Sequence, residues 1–110
     1  MPDKDDDKAF ARVIVVITAL AFKLRYKDVL DQSVRGEHTI FLRQLSMYLL
    51  NTSFNFNKSR IGRIFKKDRT TVAYACQQIE DKRDNAKFND QLDKLEDTLH
   101  ALIPLMVEWS

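Results

Sequence analysis

Six cations crowd residues 58–69 of this chain: Lys58, Arg60, Arg63, Lys66, Lys67 and Arg69, against the single acid Asp68. A helical hairpin needs no such excess to fold. A surface that docks on a polyanion does, because each cation that neutralises a phosphate releases condensed counterions. Within the run, Asp68-Arg69-Thr70-Thr71-Val72 holds the side chains with the most specific chemistry. Arg69 is suited to donate two hydrogen bonds to guanine O6 and N7, worth about 1–3 kcal/mol of discrimination. Thr70 and Thr71 suit thymine methyl groups or phosphate oxygens. Asp68 suits a cytosine amine, or the role of N-cap to the helix it opens. The base-contact candidates are therefore Asp68, Arg69, Thr70 and Thr71. The phosphate candidates are Lys58, Ser59, Arg60, Arg63, Lys66 and Lys67, with Arg43 reaching from an earlier helix; such contacts position a protein rather than read sequence. A solvated cationic face is the alternative for the run, and a helix-surface ion pair for Arg43. Tyr74 and Gln77 either extend the contact or stand exposed.

These side chains need two helices and a tight connection to hold them. Asn57 is a good N-cap, and Ile61, Ile64 and Phe65 then give the apolar spacing of a short helix with one buried face. Gly62 inside that helix costs about 1 kcal/mol against alanine, which makes sense if another helix passes very close. Lys66-Lys67 breaks the apolar pattern and Asp68 offers a second cap. Val72, Ala75, Cys76 and Ile79 then fall on one stripe, as i, i+3, i+4, i+7. Two helices across a tight turn, the second opening with arginine and threonine, predict a helix-turn-helix over about residues 58–83. Pattern alone also fits an ordinary helical hairpin; the charge excess separates the two.

Composition bounds the rest. At 110 residues the chain is one domain with a modest core, and two Gly and two Pro favour helices over turn-rich β structure. Net charge is only +2, but its sign is segregated. Residues 80–97 carry Glu80, Asp81, Asp84, Asp90, Asp93, Glu96 and Asp97 against Lys82, Arg83, Lys87 and Lys94, so the molecule is polarised, with one face for nucleic acid. The single cysteine, Cys76, excludes an internal disulfide and reads as a buried structural thiol. No apolar run approaches the roughly 20 residues of a membrane span, and residues 9–24 lack the pattern of a signal peptide. The expected location is the cytoplasm, associated with the nucleoid.

In chain order, residues 1–8 read as a disordered lead and residues 9–110 as one domain. Residues 10–24 form a helix in spite of the β-branched Val13-Ile14-Val15-Val16-Ile17, because Phe10, Ile14, Ile17, Ala21 and Leu24 keep helical spacing. Residues 26–30 read as a short helix and residues 31–38 as a polar loop hinged at Gly36. Thr39 is the expected cap of the next helix, whose apolar face comprises Ile40, Phe41, Leu45, Met47, Tyr48 and Leu49. Phe54 and Phe56 pin the following connection to the core. A C-terminal helix over about residues 86–103 carries a seam of Phe88, Leu92, Leu95, Leu99 and Leu102, spaced like two heptads. That seam packs on its own domain or meets a partner. Pro104 ends or kinks the helix, leaving Leu105, Met106, Val107 and Trp109 as an apolar tail.

Arg43-Gln44-Leu45-Ser46-Met47-Tyr48-Leu49, Ile61-Gly62-Arg63-Ile64-Phe65, Asp68-Arg69-Thr70-Thr71-Val72, Ala75-Cys76 and Ile79-Glu80 together resemble the C-terminal DNA-binding domain of DnaA, the bacterial chromosomal replication initiator. The resemblance spans roughly residues 14–102. It implies an all-α, compact, Trp-repressor-like bundle containing the helix-turn-helix and a long C-terminal helix. The family opens its recognition helix with Asp-His-Thr-Thr-Val, so Arg69 stands where a histidine is usual and a changed site preference follows. The turn after Phe65 is one residue shorter. The family's minor-groove arginine falls at Phe41, with only Arg35 and His38 as basic residues nearby, and its basic pair after Ala-Cys is Gln77-Gln78. Binding to the initiator's own sites is not implied.

With only Gly36 and Gly62, the chain has no Gly-x-x-x-x-Gly-Lys phosphate loop, so the initiator's ATPase domain is expected to be absent and no nucleotide is expected to bind. His38 and His100 lie far apart, and the carboxylates follow solvated faces; no catalytic group, metal or cofactor is expected. The leading expectation is a sequence-selective double-stranded DNA-binding protein, a transcriptional or replication regulator. The alternative is a protein-interaction adaptor whose DNA contacts have decayed, working through the C-terminal leucine seam and tail, which also leave a homodimer open.

Overall fold

A helix that is apolar nearly all round is stable only when other helices surround it. Here that helix is α2 (Glu37–Thr52), which buries Leu42, Leu45, Ser46, Met47, Tyr48, Leu49 and Leu50. Around it pack α1 (Lys4–Phe22), α3 (Lys58–Phe65) and α4 (Arg69–Lys82), while α5 (Ala86–Trp109) lies along α1. The structure, a computed structural model, describes residues 4–24 and 36–109, with side chains described for residues 6–24 and 36–104. Among the described residues there is no β-strand, and no helix is long and apolar enough to cross a membrane. The expected short helix at residues 26–30, Arg35, and the side chains of Leu105, Met106, Val107 and Trp109 lie outside the described set.

Several expectations change. Helix α1 begins at Lys4, so the anticipated unstructured lead is helical from that residue. The reason is a long-range ion pair. Arg60 donates from Nε to Asp7 Oδ2 at 2.9 Å and from Nη2 to Oδ1 at 2.7 Å, fastening the start of α1 to α3. The buried stripe of α1 is also rotated from the expected one. Ala11, Ile14, Val15, Thr18 and Ala19 are buried, whereas Phe10 and Ile17 flank the contact and Ala21 is exposed. The β-branched run makes adjacent faces equally apolar, and small Ala11 and Ala19 permit the closer approach.

Helix α2 starts two residues before the expected cap. Gly36 is its N-cap, at φ 138° and ψ 153°, and its carbonyl accepts from the Ile40 amide at 2.9 Å. Thr39 lies inside the helix. At the other end, Phe54 and Phe56 do pin the connection, both against Phe10, with ring centroids 5.1 and 5.6 Å away.

Helix α5 buries Leu92, Leu95, Leu99 and Ile103 on its own domain. The seam thus ends on Ile103 rather than Leu102, which is 38% exposed. Pro104 does not end the helix, which runs to Trp109. Leu92, Leu95 and Leu99 are thus taken up within the domain, whereas the tail side chains on which the adaptor alternative also depended lie outside the described set.

Two contacts hold α4 at its ends. At the start, Lys66 takes a left-handed conformation (φ 55°, ψ 48°) and the Lys67 amide donates back to the Gly62 carbonyl at 2.9 Å, closing α3. A Cβ on residue 62 would lie 2.5 Å from the Lys67 carbonyl oxygen. The close neighbour that demands glycine is therefore the turn's own backbone, not a passing helix. At the far end, Arg83 gathers Asn89 (2.7 Å), Glu96 (3.1 Å), Asp93 and the Tyr48 hydroxyl (3.3 Å), tying α4 to α5 and α2. The Tyr48 hydroxyl in turn donates to Glu80 at 2.6 Å.

Two outcomes follow. Gly62→Ala gains helix propensity but collides with backbone, and is expected to lose about 1–3 kcal/mol of stability in thermal denaturation; an unchanged or raised melting temperature contradicts the packing. Burial, followed by the hydrogen bond to Glu80, pushes Tyr48 up to about 12 from 10.0. Because the folded value is raised, its stabilising contribution is present below pH 10 and is lost as pH rises toward about 12. Spectrophotometric titration is expected to show a late tyrosinate step that Tyr48→Phe removes; its persistence in that variant contradicts the assignment.

Candidate nucleic-acid interface

The first turn of α4 is built by a local device. Asp68 sits in extended conformation, and its Oδ1 accepts from the Thr71 amide at 2.8 Å, capping the helix. The same oxygen accepts from the Thr70 hydroxyl at 2.7 Å. The Thr70 hydroxyl, followed by the Thr71 amide, holds the Asp68 carboxyl below the usual carboxylate range. Asp68 is thus a committed cap, and any base contact falls to its second oxygen. The Thr70 hydroxyl is turned onto Asp68, so its methyl group is the part best suited to a base.

Val72, Ala75, Cys76 and Ile79 are buried toward the core, as their spacing predicts. Burial raises the Cys76 thiol, consistent with a structural role. At 100° per residue, Thr70, Tyr74, Gln77 and Asp81 then form the opposite ridge. Arg69, Thr70 and Thr71 are exposed, and Tyr74 is 62% exposed. The Gln77 amide donates to Asp81 at 2.8 Å, so the ridge ends in a carboxylate and its second half has no cationic character.

The turn brings Lys66 and Lys67 directly against this first turn, Lys66 exposed and Lys67 half-buried. On α3, Asn57 caps the helix by accepting from the Arg60 amide at 2.8 Å. Ser59 and Arg63 are exposed there and Lys58 is half-buried. Arg43 is half-buried in α2 and already engaged within the fold.

Arg60 departs from its expected role. Its guanidinium is turned to Asp7 and its Cζ lies 3.6 Å over the Phe56 ring, leaving the side chain 27% exposed. It is an internal fastening rather than an open phosphate ligand. Nothing local could have indicated this, because its partner lies 53 residues away. Phe41 likewise has a structural task. It packs with Phe22 and Phe88, at 6.1 and 6.0 Å, joining α1, α2 and α5. The position that the resemblance assigns to a minor-groove arginine is here part of an aromatic cluster.

Comparison with known proteins agrees with this geometry. A family described as bacterial dnaA protein helix-turn-helix matches residues 11–79. The chain is 34% identical over 79 residues to the chromosomal replication initiator protein DnaA of Synechocystis sp., a match covering 71% of the chain and 17% of that relative. It is 31% identical over 101 residues to the protein of the same name from Crocosphaera subtropica, covering 90% and 22%. With the Clavibacter sepedonicus protein it shares 38% over 77 residues, covering 68% and 16%. The chain spans about a fifth of the length of these relatives. The matched residues include all of α2 and α3 and α4 through Ile79, and on that ground the chain belongs to the bacterial DnaA helix-turn-helix family.

Proposed function

We propose that this chain binds double-stranded DNA sequence-selectively and acts as a regulator of replication or transcription. A DnaA-type helix-turn-helix is a DNA-binding module. The observation that carries the reading is the first turn of α4. Arg69, Thr70 and Thr71 stand exposed on a helix start that Asp68 caps and the Lys66-Lys67 turn flanks. A helix N-terminus framed by cations suits entry into a major groove, with bases read from its opening residues.

In this mechanism Lys58, Ser59, Arg63, Lys66 and Lys67 settle on phosphates and fix the register. Arg69 takes a guanine edge and the Thr70 methyl a thymine. Arg60 is left out, because Asp7 already occupies it. Bases are read from the major groove, and Phe41, packed against Phe88, offers no donor for the minor groove at its position. Occupancy then blocks or recruits other proteins on the same DNA. The chain needs no nucleotide or metal for this and carries out no chemical step. A cytoplasmic, nucleoid-associated location goes with the reading.

Selection of bound duplexes from a random pool, followed by titration of the selected and random duplexes over a range of salt, tests the reading; no enrichment and no salt-dependent retention would falsify it. Arg69→Ala is expected to cost about 1–3 kcal/mol on the selected sequence and much less on random DNA. Equal losses on both would remove Arg69 from base reading. Lys66→Ala with Lys67→Ala is expected to weaken every duplex and to flatten the slope of log affinity against log salt by about 1 per lost phosphate contact. An unaltered slope would take the pair out of the interface.

A further inference from the structure

Arg60 stands in the middle of the basic run, one helical turn before the exposed Arg63, yet it carries a bidentate carboxylate from another helix. Asp7 feels both cations, since Arg60 first and Arg63 after it hold its carboxyl below the usual carboxylate range. The geometry is that of a guanidinium on a phosphate. Two roughly parallel N–H donors meet two oxygens of one anion at 2.7 and 2.9 Å. The pair is neither core nor open rim. Asp7 is 15% exposed and Arg60 27%, so both keep some contact with solvent.

We propose that Asp7 is an intramolecular phosphate surrogate, an autoinhibitory contact that keeps Arg60 out of the duplex interface and weakens the hold on all DNA alike. The inference rests on the DNA-binding reading above. A duplex phosphate arriving at α3 meets the Asp7 charge and finds the guanidinium already satisfied. The penalty is the same for every sequence, because phosphates carry no sequence information. Base reading by the first turn of α4 is untouched, so the contact restrains attachment to random DNA without altering which site is preferred. A purely mechanical fastening of α1 to α3 would instead change melting temperature and leave the ionic behaviour of DNA binding as it is.

The test compares the full chain with Asp7→Asn, Arg60→Gln and the double variant on random and selected duplexes over a range of salt, with circular dichroism on each. Asp7→Asn is expected to bind both duplexes several-fold tighter, with the log affinity–log salt slope steeper by about 0.9, the equivalent of one added phosphate. Arg60→Gln alone is expected to keep the original slope, and the double variant to return to it. An unchanged slope in folded Asp7→Asn overturns the proposal. So does a gain that survives in the double variant, or a flatter slope in Arg60→Gln. Should Asp7→Asn lose helix, Asp7→Gln, which also removes the charge while leaving an acceptor for Arg60, decides: a steeper slope supports the surrogate and an unchanged one refutes it. If the unaltered chain ignores duplexes at every salt, the DNA-binding reading fails and the surrogate with it; if it binds and Asp7→Asn gains nothing, only the surrogate fails.

Discussion

The geometry of the candidate interface depends on a contact made possible by a missing atom. Between α3 and α4 the chain reverses through Lys66 in a left-handed conformation, and the Lys67 carbonyl passes where a Cβ of residue 62 would stand. That approach sets how closely the second helix folds against the first. Once it is set, Asp68 lies at the start of α4 and its carboxylate holds Thr70 and Thr71. The exposed placement of Arg69, Thr70 and Thr71 therefore follows from glycine at 62 and a cap at 68, two residues that need touch no ligand.

The other end of α4 is held by a different kind of interaction. Arg83 links the helix to Asn89, Asp93 and Glu96 of α5 and to Tyr48 of α2. The acids of residues 80–97 are thus partly structural. Asp93 and Glu96 among them give Arg83 its carboxylate partners. Arg60 and Asp7 repeat the arrangement at the start of α1. Charge does two jobs here: Lys66 and Arg69 about the turn stand exposed, while Arg60 and Arg83 are drawn inward as ties between helices.

Much of this was legible from residue order, and the parts that were not share a cause. The caps Asn57 and Asp68 and the stripe Val72, Ala75, Cys76, Ile79 were readable because each involves residues within a turn or two of one another. The rotated face of α1 was not, since Val13 to Ile17 are apolar on every side and only the neighbouring α2 selects among them. Thr39 was a credible cap until Gly36, in a backbone conformation that favours glycine, took the cap and moved it three residues earlier. The C-terminal seam was correct through Leu99 and then moved to Ile103, where a long helix in contact with α1 departs from a strict heptad.

The amino-acid order by itself determined the helical class, the helix-turn-helix and the exposure of its opening residues, because periodicity, capping and local charge act over short stretches of chain. Only the tertiary structure decided which cations stay open and which are claimed. Whether Arg60 faces a duplex or an aspartate depends on where α1 lies, and no pattern within residues 58–69 encodes that. The same holds for Phe41 in its aromatic cluster and for Leu92, Leu95 and Leu99 on their own domain. Each is a competition between an outside partner and a distant part of the same chain, and folding alone brings that competitor near.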